Sequence, residues 1–170
     1  MLAGDCLKCI AAVWVSRLIF GQSHPDMIYL LSLYTGAGAI LGHNFPFYMN
    51  FRGGKGIAAT AGLILSFHPY FIVMGVAVFF GIFFTTHLVS LGSLLVYLGF
   101  VAEMVICGQL GVFAGMTQAQ LTELYVLALL LAALAYWKHK ENIVRLIHGN
   151  ERKTYLTKKN KVDVEEEPKK

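Results

Sequence analysis

The sequence has little charge for its length, and the charge that it has is unevenly placed. Only 14% of its 170 residues are charged, against about 25% in a typical soluble domain. Ten of its 14 basic residues lie at position 138 or later. A water-soluble fold needs polar side chains over its whole surface, and the four bases before position 138 cannot supply them. This scarcity excludes a soluble domain, a nucleic-acid binder and an intrinsically disordered chain.

Cysteine is also scarce, with three residues in all, so a secreted disulfide scaffold is excluded. Cys6 and Cys9 have the C-x-x-C spacing, but no strand is predicted before them, and the motif alone is a weak signal. No group of His, Cys, Asp and Glu has the spacing of metal ligands. We therefore expect neither a metal ion nor a cofactor. Asp5 and Lys8 interrupt the N-terminal segment, which argues against a signal peptide.

Long hydrophobic runs are abundant, and hydrophobic residues make up 56% of the chain. A helix needs about 17–20 apolar residues to cross the hydrocarbon core of a bilayer. Four stretches reach that length, namely residues 27–46, 69–85, 88–107 and 121–137. Residues 10–21 and 57–67 are shorter, and the second of these forms either a short crossing or a re-entrant helix. The sequence predicts an all-α, polytopic membrane bundle with five to six transmembrane helices, over residues 1–150.

The connections between these stretches alternate in charge. Residues 22–26, 66–69 and 108–120 contain no Lys or Arg, whereas residues 44–55 and the C-terminal tail are basic. With six crossings the basic connections fall on one side, which the positive-inside rule places in the cytoplasm together with both termini. Residues 151–170 carry segregated runs of Lys and Glu with little apolar content. We expect them to form a charged, disordered cytoplasmic tail.

Two charged residues lie within the apolar stretches. A carboxylate is costly inside a membrane and usually faces a partner or a cavity. Glu103 is in the half of its stretch distant from the basic connections. We interpret it as structural or as the ion-pair partner of Arg17.

A glycine-rich basic segment, which we call the glycine loop, stands immediately before the short stretch at residues 57–67. It contains Arg52, Gly53, Gly54, Lys55 and Gly56. Glycines let the backbone approach a ligand, a following helix N-terminus favours an anion, and a lysine adds a compact charge for phosphate. The Walker spacing is absent, so a nucleotide is not implied. The alternative is a basic turn that only sets topology.

Two further polar groups are predicted on the same side. Ser90 and Ser93 share one face of a helix, although serines also serve helix packing in membranes. His139 and Asn142 share a face if the segment after the last apolar stretch is helical, although this basic segment would also anchor acidic lipid headgroups. No nucleophile–base pair of the usual kind is visible. The residues alone therefore predict an anion site and leave its chemistry open.

The motifs resemble those of the bacterial membrane acyl-phosphate:glycerol-3-phosphate acyltransferases. The resemblance covers roughly residues 5–153 and rests on L-G-H-N-F-P at 41–46, F-R-G-G-K-G-I-A at 51–58, V-S-L-G-S at 89–93 and H-K-E-N-I-V-R-L at 139–146. It implies transfer of a fatty acyl group from acyl phosphate to the sn-1 hydroxyl of glycerol-3-phosphate, giving lysophosphatidic acid. It also implies a seven-helix fold in the cytoplasmic membrane, with the active site facing the cytoplasm. Glycerol-3-phosphate, acyl phosphate and membrane lipid are the implied partners, and nucleic acid is not.

The resemblance also assigns roles to individual residues. The implied catalytic residues are Lys55, Ser90, His139 and Asn142. The implied substrate-binding residues are His43, Arg52, Gly53, Gly54, Gly56 and Ser93, and no metal ligand is implied. Asp5 and Lys8 match a D-x-x-K element of the family, except that Cys9 stands where a glycine is usual.

One family motif is not found in this sequence. Members begin with a further helix and a G-S-x-N-x-G-A-T-N element that supplies a serine and an arginine to the site. The chain is therefore either an N-terminally incomplete member or a degenerate one. A catalytically inactive phosphate-binding relative and a small anion transporter are the alternative functions.

Overall fold

The fold is known from a computed structural model that describes residues 2–155. Within that range the chain forms seven α-helices and no strand. The helices are α1 (Leu2–Phe20), α2 (Ile28–Asn44), α3 (Ile57–Phe67), α4 (Pro69–Thr86), α5 (Val89–Gln109), α6 (Gln118–Lys138) and α7 (Lys140–Ile147). Short 3-10 turns occur at Pro25–Met27 and Phe47–Met49. The predicted all-α architecture is confirmed.

Three helices, α4, α5 and α6, are long and apolar enough to cross a membrane. α2 has 17 residues, and α1 has 19 but carries Asp5, Lys8 and Arg17. α3 has 11 residues, so at 1.5 Å per residue it spans roughly half of the hydrocarbon core. It is a separate short helix, with His68 as the boundary to α4. The count of five to six crossings remains a prediction.

The short helix α3 packs between α1 and α2 because two glycines remove side chains from the contacts. A Cβ on Gly62 would collide with the backbone carbonyl of Cys6 in α1, and a Cβ on Gly36 of α2 would collide with Leu63. Small residues allow this close approach where membrane helices cannot rely on a hydrophobic driving force between them. Phe67, at the end of α3, packs against Phe71, Phe100 and Phe113.

Arg17 binds the buried end of α3. Its Nη2 donates a hydrogen bond to the Phe67 carbonyl oxygen, and its Nε donates to Ser32 Oγ at 2.9 Å. The last carbonyls of a helix have no intrahelical partner, and water is not available to them inside a bilayer. The suggested pair between Arg17 and Glu103 is therefore wrong, because the guanidinium is engaged at α3. One Glu103 oxygen is buried without a hydrogen-bond partner among the described residues.

Several chain segments meet at one end of the bundle, which we call the basic end. Lys138, at the end of α6, donates from Nζ to the Asn44 carbonyl oxygen at the end of α2, at 2.9 Å. The backbone N–H of Thr154 donates to the carbonyl oxygen of His87, just before α5, at 2.8 Å. Residues 151–155, here called the strap, thus lie against the bundle. The remainder of the predicted tail, residues 156–170, lies outside the described residues.

Replacement of Arg17 by methionine should lower the thermal unfolding midpoint of the purified protein in detergent by several degrees. The Phe67 carbonyl would lose a charge-assisted donor, worth about 1–3 kcal/mol. Leu18→Met is the matched control, because Leu18 is the neighbouring residue and is 77% exposed. Equal midpoints for the two variants would show that Arg17 does not stabilise the end of α3.

Candidate anion site at the basic end

The glycine loop is folded back onto the end of α2. The Gly53 N–H donates to the Asn44 carbonyl oxygen at 3.2 Å, the same oxygen that Lys138 binds. Gly56 precedes the first residue of α3 with φ of +80°, a left-handed conformation that favours glycine. A Cβ there would lie 2.7 Å from Asn44 Oδ1. The backbone at Gly56 and the packing against Asn44 therefore both require glycine.

Gly53 and Gly54 are also required by close packing within the chain. A Cβ on Gly54 would collide with the imidazole of His43, and one on Gly53 would collide with the His43 carbonyl oxygen. The glycine spacing predicts a close approach to a ligand, whereas these contacts give an intramolecular reason for the same residues. The two reasons are compatible, and the ligand contact remains a prediction.

His43 connects the glycine loop to α1. Its Nδ1 lies 3.3 Å from Asp5 Oδ1 and 3.3 Å from Lys8 Nζ. Lys8 donates in turn to Asp5 at 2.7 Å. Asp5 and Lys8 of the D-x-x-K element therefore fix the position of the His43 imidazole, which packs against Gly54. His43 thus lies between α1 and the glycine loop. Its contact with substrate remains a prediction.

The structure brings Lys55, Asn142 and Ser90 together from three separate segments. Lys55 Nζ donates to Asn142 Oδ1. Asn142 Nδ2 donates to Glu151 Oε1 at 2.6 Å, and Ser90 Oγ donates to the same oxygen at 3.0 Å. The second carboxylate oxygen accepts from Arg145 Nε at 2.9 Å. A glutamate of the strap thus joins the start of α5 to α7.

Glu151 is the principal site residue that the sequence did not predict. Its side chain is 7% exposed. Burial raises the pKa of this carboxyl, but hydrogen bonds from Asn142, Arg145 and Ser90 outweigh burial and hold the pKa below its usual value. The carboxylate is therefore ionised at neutral pH. The signal available in the sequence was Gly149, two residues before Glu151. In the structure its φ is +68°, a left-handed conformation that turns the chain back after α7.

Arg145 pairs with Glu151 of the strap and not with a neighbour on its own helix. Glu141 stands four residues before it, but Arg145 pairs with Glu151 at 2.9 Å. Glu141 is exposed on α7. The buried carboxylate gains more from the guanidinium than an exposed one would, because water screens exposed ion pairs.

His139 lies at the junction of α6 and α7 and is fully buried. Its Nδ1 is 2.7 Å from the Ala135 carbonyl oxygen, so Nδ1 carries the proton and donates it. Nε2 is then a bare acceptor, and it has no partner among the described residues. Burial, together with the positive charge of Lys55, lowers the pKa of this imidazole. His139 is therefore neutral at physiological pH with one free acceptor atom.

An apolar groove of about 500 Å³ adjoins this cluster. Side chains of α3, α4 and α5 form its walls, among them Ile64, Phe79 and Val96. Ser93 and Thr154 also line it, and they lie near Ser90 and Glu151 in the sequence. Ser93 stands one turn after Ser90 on α5, so the groove runs next to the polar cluster, although none of Lys55, Asn142 and Glu151 lines it.

Comparisons with known proteins point to one family. The family model described as glycerol-3-phosphate acyltransferase matches residues 1–149. The chain belongs to this family. A glycerol-3-phosphate acyltransferase of Mycoplasmopsis synoviae (strain 53) is 34% identical over 158 residues, which are 91% of this chain and 70% of that protein. One of Rhizobium etli (strain CIAT 652) is 33% identical over 149 residues, 88% of this chain and 63% of that protein.

Two crystal structures of PlsY, an integral membrane glycerol 3-phosphate acyltransferase, have the same fold. The lysophosphatidic acid form has a TM-score of 0.68 and 27% identity, covering 89% of this chain and 69% of that one. The glycerol 3-phosphate form has a TM-score of 0.69 and 26% identity, covering 96% and 71%. With its apolar helices, the chain is a membrane protein of this acyltransferase family.

Two residues assigned by the family motifs stand apart from the polar cluster. Arg52 is exposed, and its side chain makes no hydrogen bond or ion pair with the described residues. Ser93 Oγ donates to the Val89 carbonyl oxygen at 2.8 Å and faces the groove. Of the two serines only Ser90 reaches Glu151, so Ser93 lies at the boundary between the cluster and the groove.

Replacement of Gly54 by alanine should destabilise this family member because the new methyl group collides with His43. Overpacking of this kind costs typically about 1–3 kcal/mol. The double variant Gly54→Ala with His43→Ala should recover part of that loss, since the collision is removed. Thermal unfolding in detergent measures both. Gly42→Ala is the control, because a Cβ there has open space. Additive effects of the two substitutions would contradict the contact.

Glu151→Gln should release the strap, because Arg145, Asn142 and Ser90 lose a charged acceptor. Limited trypsin digestion, read by mass spectrometry, should show faster cleavage at Arg152 and Lys153. Glu141→Gln removes an exposed carboxylate from α7 and should leave these cleavage rates unchanged. Identical rates in the two variants would mean that the carboxylate does not hold the strap.

Proposed function

We propose that this protein transfers a fatty acyl group from acyl phosphate to the sn-1 hydroxyl of glycerol-3-phosphate, forming lysophosphatidic acid. The observation that carries the proposal is the convergence of Lys55, Asn142 and Ser90 on one polar cluster beside an apolar groove. Family membership supports an acyltransferase activity, and a solved relative is named in a glycerol 3-phosphate form. The acyl-phosphate donor is implied by the motifs.

Phosphate binding is assigned to the glycine loop and to Lys55. The loop ends at the N-terminus of α3, where free backbone N–H groups and the helix dipole favour an anion. Lys55 places an ammonium group beside them, and the exposed Arg52 adds a second charge on the same loop. Glu151 does not cancel this field, because it is already neutralised by Arg145 and by hydrogen bonds.

The acyl chain is assigned to the groove between α3, α4 and α5. Its walls are almost wholly apolar. Thr60 and Tyr97 in the lining hydrogen-bond to each other, whereas Ser93 and Thr154 are the polar lining residues beside the cluster. An acyl phosphate has the same division, with an apolar chain and a charged head. With its chain in the groove and its charged head at the polar cluster, the donor would place its activated carbonyl near Ser90. Embedding the enzyme in lipid then lets the donor enter from the bilayer.

In the proposed reaction the sn-1 oxygen attacks the acyl carbonyl carbon, and the bond between that carbon and the phosphate oxygen breaks. Phosphate leaves with the electron pair. The donor is already activated, so proximity and charge stabilisation suffice and no acyl-enzyme is needed. We assign the hydroxyl proton to His139 Nε2, because this buried atom is an unpaired acceptor among the described residues. Nδ1 cannot accept it, since it donates to Ala135.

The orientation belongs to the proposal as well. The basic end carries Lys55, Arg52 and Lys138, and the positive-inside rule places it in the cytoplasm. The protein would then be a multi-pass protein of the bacterial cytoplasmic membrane that takes glycerol-3-phosphate from the cytoplasm.

Lys55→Met should lower kcat/KM for glycerol-3-phosphate by about 10–100-fold, the value of a charge-assisted hydrogen bond. Lys55→Arg should restore little, because a planar fork does not replace a compact ammonium. The assay is acyl transfer from acyl phosphate to labelled glycerol-3-phosphate in membranes. Lys140→Met removes an exposed base from the same end and should stay near the parental rate. Near-parental rates for Lys55→Met would refute the assigned phosphate site.

Acyl transfer should fall as the pH drops through the lowered pKa of His139, because protonation fills Nε2. This acid limb should lie below the ordinary imidazole value of about 6.5. Phosphate substrates titrate in the same range, so the parental profile must be compared with that of His139→Gln. The variant should transfer acyl groups slowly. The part of the fall in rate at low pH that comes from protonation of His139 should be missing. An unchanged profile shape would rule out His139 as the proton acceptor.

A further inference from the structure

An exposed apolar patch precedes the glycine loop at the basic end. It consists of Phe47, Tyr48, Met49 and Phe51, which are 79%, 74%, 54% and 63% exposed, and we call it the aromatic turn. Hydrogen bonds close the turn, because Met49 and Phe51 donate from their backbone N–H groups to the Pro46 carbonyl oxygen at 3.1 and 3.0 Å. The four side chains are thus held outward by an ordered backbone. Contiguous exposed apolar surface of this kind marks an interaction site.

The backbone of the aromatic turn is strained. Asn50 and Phe51 are consecutive residues with φ of 51° and 60°. Asparagine tolerates this left-handed region, but a bulky residue such as phenylalanine rarely adopts it. Phe51 is largely exposed and is not stacked on another ring of the described chain. Internal packing of the Phe51 ring therefore does not account for the conformation, which presents the ring to the outside.

The surroundings of the turn are basic and aromatic. Trp137 is 55% exposed and stacks on Phe45 with ring centroids 6.3 Å apart. Lys138 Nζ lies 4.2 Å from the Phe45 ring centroid, and Lys140 Nζ lies 5.9 Å from that of Trp137. Residues 44–57 contain Arg52 and Lys55 but no Asp or Glu. Amphipathic rings flanked by basic residues are typical of protein segments that lie at a membrane interface with anionic headgroups.

We propose that the aromatic turn inserts into the headgroup boundary of the leaflet at the basic end, with anionic lipid as its partner. The turn follows α2 directly and lies beside the end of α6, which places it at the level where membrane helices leave the hydrocarbon. The glycine loop begins immediately after Phe51, so the inserted turn fixes that loop at headgroup depth. The inference depends on membrane residence and not on acyl transfer.

Tryptophan fluorescence tests the insertion. Phe47→Trp, combined with Trp14→Phe and Trp137→Phe, leaves a single indole in the chain, at the tip of the aromatic turn, and keeps an aromatic ring at that position. In nanodiscs of phosphatidylglycerol and phosphatidylcholine, lipids brominated near the glycerol end of the chain should remove more than half of its emission. Lipids brominated near the chain terminus should remove less. Trp137→Phe alone retains Trp14, which is 54% exposed on α1 and should be quenched as a positive control.

The outcomes separate the possible partners. Red-shifted emission without quenching would show that the turn stands in water and would overturn the proposal. Blue-shifted emission without quenching would show that a protein surface covers it, which also overturns the proposal. Quenching should be roughly twofold weaker in phosphatidylcholine alone, because the bases then lack anionic headgroups. Equal quenching in both mixtures would contradict the anionic partner.

Discussion

The candidate site depends on one buried carboxylate. Glu151 accepts hydrogen bonds from Ser90, Asn142 and Arg145, which come from the start of α5 and from α7. Without this acceptor, the buried donors of Ser90 and Asn142 would lose a charged partner, and the half-buried Arg145 would lose its ion pair. A buried carboxylate is unfavourable alone, but with three donors it fixes their relative positions. Lys55 is then oriented through Asn142.

The glycine loop is also positioned by side chains of neighbouring segments. His43 fills the space that a side chain at Gly54 would need, and Asp5 and Lys8 hold its imidazole in place. The short helix α3, which follows the loop, is bound at its far end by Arg17. Residues of α2 therefore fix the N-terminal end of α3, and Arg17 of α1 fixes its C-terminal end. The N-terminal N–H groups of α3 thus have a defined position for an anion.

Much of this arrangement could be predicted from the sequence. Apolar length predicted the long helices and the short stretch at residues 57–67, which the structure forms as the separate helix α3. The alternation of basic connections predicted that Lys55, Ser90 and Asn142 lie on the same side, and the structure brings them together. Glu151 was missed because it follows a basic helix in a segment whose composition indicates a tail. Arg17 and His43 act on partners 35 to 50 residues away in the chain, and periodicity and motifs carry no information on such contacts.

We propose above that the basic end binds a phosphate group through Lys55 and the glycine loop. Equilibrium binding of labelled glycerol-3-phosphate to the protein in nanodiscs, without acyl donor, tests it most directly. We expect saturable binding that inorganic phosphate displaces and glycerol does not. Lys55→Met should weaken this binding at least about tenfold. Equal affinity of the parental protein and Lys55→Met, or displacement by glycerol, would contradict it.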